Sequence, residues 1–237
     1  MRFAVYTLTR QRLEFTRYTF DLLRAKAGQT FDHYVVDNTA PDEDDGTHGW
    51  LDTERQAGRI YRVHHMPRNM GISIGSNLAL AFIASAPGRY DAVLKFDNDC
   101  EVVSDNLLVG LGLFLERAAL DNRRFAISPQ VEGIGWQPPR TKTTTEYGCV
   151  FGETGMIGGL CHCIPWDDYR DYRYPETLPM ASGQDGHVCQ DLVRRGVTVG
   201  YLEELVVRHY MTTTGQTRHL PAYFERKYKE EKEAPKQ

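Results

Sequence analysis

The stretch Asp91–Val102, DAVLKFDNDCEV, decides how the rest of the chain is read. Val93, Leu94 and Phe96 have the pattern of a buried strand. That strand ends by collecting carboxylates at Asp97 and Asp99, with Asn98 between them and Glu101 close behind. Charge at the edge of a core is costly unless it is met there. The strand tip therefore calls for water, a structural arginine or lysine, or a metal ion.

Working outward, strands and helices alternate on both sides of this segment. Residues 2–8 read as a strand and 10–28 as a helix with Leu13, Phe20, Leu23 and Ala27 on one face and Gly28 as its stop. Residues 31–38 give a second strand followed by an acidic turn, and 58–66 a third. Residues 71–86 begin glycine-rich and become helical. After the quoted strand, Ser104 caps a helix over 104–120, and 125–133 is a fifth strand. Such alternation implies an α/β fold with a mostly parallel sheet flanked by helices, with ligands beyond the carboxyl ends of the strands. Thr7, Asp37 and Asp97 all fall near those ends. The second half is less regular: a loop over 133–150, a strand and turn over 155–169, a helix over 182–196 and two short strands over 197–210. The tail 211–237 is charged and reads as an extension, frayed or unfolded.

The bulk numbers narrow the function classes. The chain has 237 residues and a formal charge of -4, with 41% hydrophobic and 25% charged residues, a composition ordinary for one sizeable globular domain. No global basic field for nucleic acid is present. The five cysteines, 100, 149, 161, 163 and 189, form no C-x-x-C pair and are expected to be reduced thiols. The first strand is too short and too polar to read as a signal peptide, and no stretch approaches the length of a membrane span. A cytoplasmic location is the expectation that follows.

With these segments in order, the sequence resembles the GT-A glycosyltransferases, in particular the family 2-like inverting enzymes. The segments that carry the resemblance are VYTLTR, VVDNTAPDEDDGT, NMGISIGSN, FDND and GQDGHVCQDLVRRGVTVGYLEELVVRH, spanning about residues 3 to 210. The resemblance implies a Rossmann-like, nucleotide-sugar-binding GT-A domain over 1–210, with a donor half over about 1–103 and an acceptor half over about 104–210. It also implies a D-x-D metal motif at Asp97–Asp99. Asp99 is then the direct ligand of Mn²⁺ or Mg²⁺, Asp97 contacts the ribose or reaches the metal through water, and His209 is a further ligand. A carboxylate and an imidazole with phosphate oxygens suit Mn²⁺, and a divalent cation can neutralise charge on a departing diphosphate. Asn98–Asp99 as a plain polar turn, and His209 as an ordinary polar histidine, are the competing readings.

The resemblance further implies that Asp37 hydrogen-bonds a nucleobase, uracil above all, with Thr7 and Arg10 lining the same cleft. Asp37 as a cap of the acidic turn, and Arg10 as a solvated helix-start residue, are the alternatives. Asn69 and Gly71 would shape the helix entrance near the phosphates. Relatives often carry Ala-Arg-Asn where this chain has Gly75-Ser76-Asn77, so an arginine is missing there, with Lys95 or Arg68 as possible substitutes. Asp185 is the proposed general base, taking the proton of an attacking hydroxyl. Its rival role is in a capping box begun by Ser182. His187 is a second, weaker candidate. Trp136, Trp166, Tyr169, Tyr172 and Tyr174 could stack on an acceptor or simply pack, and Asp167 and Asp168 could bind acceptor hydroxyls or face solvent.

The function expected is transfer of a sugar from a nucleotide-sugar donor, a UDP-sugar first, to a hydroxyl of a saccharide, a protein or a modified DNA base. Two rival classes share parts of the pattern. A sugar-1-phosphate nucleotidyltransferase would need a glycine-rich basic loop after the first strand, and TLTRQR has no glycine. A non-catalytic nucleotide- or carbohydrate-binding module would have no use for Asp185 in register with His209.

Overall fold

The structure, a computed structural model, describes residues 1–134, 137–179 and 183–210. Trp136, Ser182 and the extension 211–237 lie outside the described residues. The elements run in the order β1 (Phe3–Thr9), α1 (Leu13–Lys26), β2 (Asp32–Asp37), α2 (Thr47–Gln56), β3 (Arg62–His65) and α3 (Gly71–Ala84). Then come β4 (Ala92–Phe96), β5 (Cys100–Val102), α4 (Leu107–Leu120), β6 (Phe125–Glu132) and the hairpin strands β7 (Lys142–Glu146) and β8 (Cys149–Glu153). The chain continues through β9 (Cys161–Pro165), α5 (Trp166–Tyr169), α6 (Gln184–Arg194) and β10 (Thr198–His209).

One sheet gathers these strands in the order β3-β2-β1-β4-β9-β6-β10-β8-β7, with β5 pairing β10. The first four are parallel. Phe3 to Tyr6 and Ala92 to Leu94 are fully buried, as expected of strands covered on both faces. The chain moves one way from β1 to β2 to β3 and then returns to place β4 on the other side of β1. That reversal opens a crevice at the carboxyl ends of β1 and β4, the usual ligand position in open α/β sheets.

The second half departs from a purely parallel reading. β9 inserts antiparallel between β4 and β6, while β6 and β10 run parallel. Residues 142–153 are a hairpin rather than loop. The region 197–210 is one long strand, not two, with a register shift between Leu202 and Val206. Beyond that shift β10 turns back along β5, setting Arg208 opposite Glu101 and His209 opposite Cys100. α1 buries Phe15, Thr16, Thr19, Phe20 and Leu23. It ends where expected: Gly28 has φ 79, and a Cβ there would lie 2.7 Å from the Asn106 Cα. The helix α2 was not anticipated, because its sequence THGWLDTERQ buries only Thr47, Leu51 and Glu54 and shows little periodicity.

Candidate active site

The crevice between β1 and β4 has a volume of about 480 Å³ and is lined by Thr9, Arg10, Arg12, Asn69, Asp97 and Asp99 among others. The acidic strand tip is answered by cations from three elements. Lys95, buried within β4, donates from Nζ to Asp97 Oδ1 at 2.5 Å and also to the Gly159 carbonyl. Asp99 Oδ2 lies 3.2 Å from Arg12 Nη1 and 3.3 Å from His209 Nε2. Glu101 Oε2 pairs with Arg208 Nη1 at 3.1 Å. Asn98 is held between helix and strand: its Nδ2 donates to Thr16 Oγ1 and its carbonyl accepts from Thr19 Oγ1.

Asp99 and His209 are 110 positions apart in sequence and meet because β5 pairs with the end of β10. The Tyr210 amide donates to the Asp99 carbonyl at 3.0 Å. Gly133, φ 82, fits against the His209 backbone where a Cβ would collide with its carbonyl. Burial opposes charge on Asp99, yet the hydrogen bond and charge of His209, with Arg12 and Lys95, hold its carboxyl below the ordinary value. Burial pulls His209 down, but the Asp99 carboxylate more than offsets this and raises it. Asp97 goes the other way: burial lifts it to about 6 against the pull of Lys95, with the charges of Asp99 and Asp185 adding to the rise. Burial also works against the Lys95 cation, but Asp97 and then Asp185 keep it charged, above its ordinary pKa. Asp185 therefore stands close enough to Lys95 and Asp97 for each to feel its charge.

The seat of Asp185 is specific. Its carboxylate packs directly on Gly159, where any Cβ would overlap it. The N-cap of α6 is Gly183, which makes Asp185 the second helical residue rather than the third that a capping box uses. Its negative charge lies in the first turn, where the helix dipole favours it.

Other expected residues fall out differently. Arg10 lines the crevice and pairs at 3.3 Å with Glu43, both side chains about half exposed. Asn69 Oδ1 accepts from the Gly71 amide at 3.0 Å, and Gly71 has φ 80, so both shape the entrance of α3 at the crevice wall. Thr7 does not line the crevice: it is fully buried, with Oγ1 3.0 Å from His33 Nε2, and Thr9, the last residue of β1, lines the crevice instead. Asp37 is also fully buried, with both oxygens used inside the protein, so it is not presented to a nucleobase in this arrangement. Ser76 is fully buried in α3, so the residue standing where relatives carry arginine does not face the crevice; Arg12 supplies a crevice cation instead.

Trp166, Tyr169, Tyr172 and Tyr174 belong to the core, and Tyr169 and Tyr174 share a hydroxyl cluster with Tyr6. Asp167 and Asp168 pair with Arg89 and Arg124 beside Pro165, which faces Ala92 at the opposite end of β4 from Asp97. They are remote from the crevice. His187 is exposed, two residues along the helix from Asp185 and so turned to another face.

Sequence reasoning missed Arg12 and the strained turn that aims it. Gln11 and Arg12 have φ 53 and 61, an unusual consecutive pair for residues with side chains. The turn is held by Gln11 N to Thr39 Oγ1 at 2.6 Å and Gln11 Nε2 to the Glu43 carbonyl at 2.8 Å. No sequence pattern announces it. It also missed a second cluster. Asp37, His48 and His65 each offer a ligand atom, all within 4.8 Å of one another, the spacing at which a single divalent cation can be shared.

No family model and no curated protein matches the chain. Solved structures do. TarS of S. aureus superposes with a TM-score of 0.65 at 15% identity, covering 88% of this chain and 36% of that one. GalNAc-T7 with UDP, GalNAc and Mn²⁺ superposes with a TM-score of 0.68 at 13% identity, covering 94% of this chain and 45% of that one. TarS 1–349 in complex with UDP-GlcNAc gives a TM-score of 0.61 at 16% identity over 93% of this chain and 60% of that one. The chain thus spans between about a third and three fifths of the proteins it resembles. The shared architecture is the Rossmann-like GT-A fold, a mostly parallel sheet flanked by helices.

Proposed function

We propose that the chain is a glycosyltransferase that moves a sugar from a nucleotide-sugar donor, a UDP-sugar first, to an acceptor hydroxyl with inversion. The observation that carries this reading is the approach of His209 to within 3.3 Å of Asp99, which lines the crevice together with Asp97. One carboxylate oxygen and one imidazole nitrogen, Asp99 Oδ2 and His209 Nε2, are a donor pair that suits a Mn²⁺-type ion. When bound, that ion supplies charge neutralisation at the departing diphosphate. Asp97, at the mouth of the crevice, orients the ribose side of the donor. Arg12 adds positive charge to the phosphate path, and Asn69 and Gly71 bring the α3 entrance close to the phosphates.

Asp185 takes the proton of the attacking hydroxyl. Its neighbour Lys95 sets a buried positive charge near it, and Gly159 fixes its position. The acceptor is a hydroxyl on a saccharide, a protein or a modified nucleic-acid base. A melting-temperature screen of UDP-, GDP-, CMP- and dTDP-sugars with and without Mn²⁺ tests the donor half, since a ligand of the native state raises the transition. For Asp185→Asn we expect donor-induced stabilisation to persist while turnover falls about 100-fold or more. Equal loss of both would remove Asp185 from the role of base.

A further inference from the structure

We propose that Asp37, His48 and His65 form a second centre, for an imidazole-preferring cation of the Zn²⁺ class, that ties β2, α2 and β3 together beside the crevice and takes no part in transfer. This inference does not rest on the transfer reading. Asp37 and His65 are the last residues of neighbouring parallel strands and are register partners. His48 is the second residue of α2. The three thus bring the ends of β2 and β3 together with the first turn of α2.

The arrangement around Asp37 is that of an oriented ligand. Its Oδ1 accepts from Thr9 Oγ1 at 2.9 Å, from the Thr39 amide at 3.1 Å and from Thr39 Oγ1 at 2.7 Å. These bonds leave Oδ2 turned toward His48 Nε2 at 3.1 Å and His65 Nδ1 at 3.2 Å. Ligands on a tetrahedron with bonds of about 2.0–2.1 Å stand about 3.3 Å apart, close to these separations. The Thr39 carbonyl oxygen, 3.1 Å from the same His48 nitrogen, is a further oxygen on that side.

The outer shell is present too. His65 Nε2 is buried, has no hydrogen-bond partner and faces Asp52 Oδ1 at 3.5 Å. Coordination through Nδ1 would place the ring proton on Nε2, toward that carboxylate, the usual carboxylate–histidine–metal relay. Asp52 and His48 are four residues apart on α2 and share one face. Two imidazoles and one carboxylate oxygen select Zn²⁺ over Mn²⁺ or Mg²⁺, whose preference runs to oxygen. Asp37 is closed to solvent, while the His48 and His65 side chains keep 20% and 27% exposure, which leaves a path of entry.

The test uses the full chain, freed of metal by chelation and carrying Asp99→Asn so that the crevice does not compete. Zn²⁺ is titrated against a chromophoric chelator, and Co²⁺ is added separately as a spectroscopic probe. We expect one tight Zn²⁺ equivalent, at least 100-fold tighter than Mn²⁺ by the metal-affinity order and ligand softness. We also expect the intense visible bands of four-coordinate Co²⁺ and a rise in melting temperature with Zn²⁺. His48→Ala, on a largely solvated helix, should abolish the tight equivalent, and Asp52→Asn should weaken it about tenfold. His65→Ala should behave as His48→Ala if it folds. Zn²⁺ held no more tightly than Mn²⁺ would overturn the proposal, leaving two histidines salt-bridged to Asp37. So would a tight equivalent that survives His48→Ala.

Discussion

Lys95 is 3% exposed inside an apolar strand, and its ammonium is shared between Asp97 and the Gly159 carbonyl. Through Gly159 it also touches the seat of Asp185. Replacing it by methionine removes the cation and leaves the carbonyl without its donor. Lys95→Met is expected to destabilise the fold by about 1–3 kcal/mol, read by urea unfolding. It should also move the acid limb of the rate profile to higher pH, because Asp97 loses the charge that opposes its rise. Gly159→Ala probes the same seat from the other side: the added methyl displaces the Asp185 carboxylate. Turnover should fall about 10-fold or more, at a stability cost of about 1–3 kcal/mol, while Mn²⁺ and UDP still raise the melting temperature. Unchanged turnover in Gly159→Ala would show that the position of Asp185 does not matter. The lysine was visible in the sequence as a break in an apolar run. The glycine was not, because its meaning depends on α6, which packs against it from residues 184–194.

Elements were legible in proportion to how much of their pattern is set locally. β1, β2, β4, α1, α3 and α4 have continuous apolar runs or periodic faces, and each stands close to where the sequence puts it. The hairpin β7–β8 is polar and half exposed, and α2 is nearly all polar, so neither writes a clear hydrophobic period. β10 appeared as two strands because its register shift falls at Glu203–Leu205, where burial lapses. Two buried histidines tie elements together in their neutral form: His33 on β2 and His162 on β9. Burial lowers both to about 3, with Arg24 adding to the effect at His33 and Lys95 at His162. Below the unfolded value of about 6.5 the unfolded chain takes up protons that the folded chain does not. Their contribution to stability is whole above pH 6.5 and is lost as the pH falls toward 3, by about 1.4 kcal/mol per pH unit per histidine. His33→Gln, which can still reach Thr7, should flatten the acid side of the stability curve by one proton; an unchanged slope would mean that His33 charges within the fold.

At the scale of the molecule, the strand order puts β1 and β4 side by side with their carboxyl ends open, and the long return of β10 brings the last described turn of the chain to that opening. The acidic strand tip at Asp97–Asp99 was legible from its own pattern, whereas the roles expected of Gly71 and Asp185 came only through the resemblance. The pairing of Asp99 with His209 could only be expected through the resemblance, since nothing local to either residue names the other. The sheet's second half, where β9 enters antiparallel, was not readable, because strand direction depends on the path of the connections rather than on residue pattern.

The central claim, that one crevice combines a cation held by Asp99 and His209 with a base at Asp185, is tested most directly by UDP release. Nucleotide-sugars are incubated with the full chain and Mn²⁺, with water as the hydroxyl that receives the sugar, and the rate is compared with that of the Asp99→Asn and His209→Gln proteins. We predict Mn²⁺-dependent UDP release from at least one UDP-sugar, lost about 100-fold or more in both variants while their folds remain intact. Release that ignores Mn²⁺, or that survives both substitutions, would contradict the account.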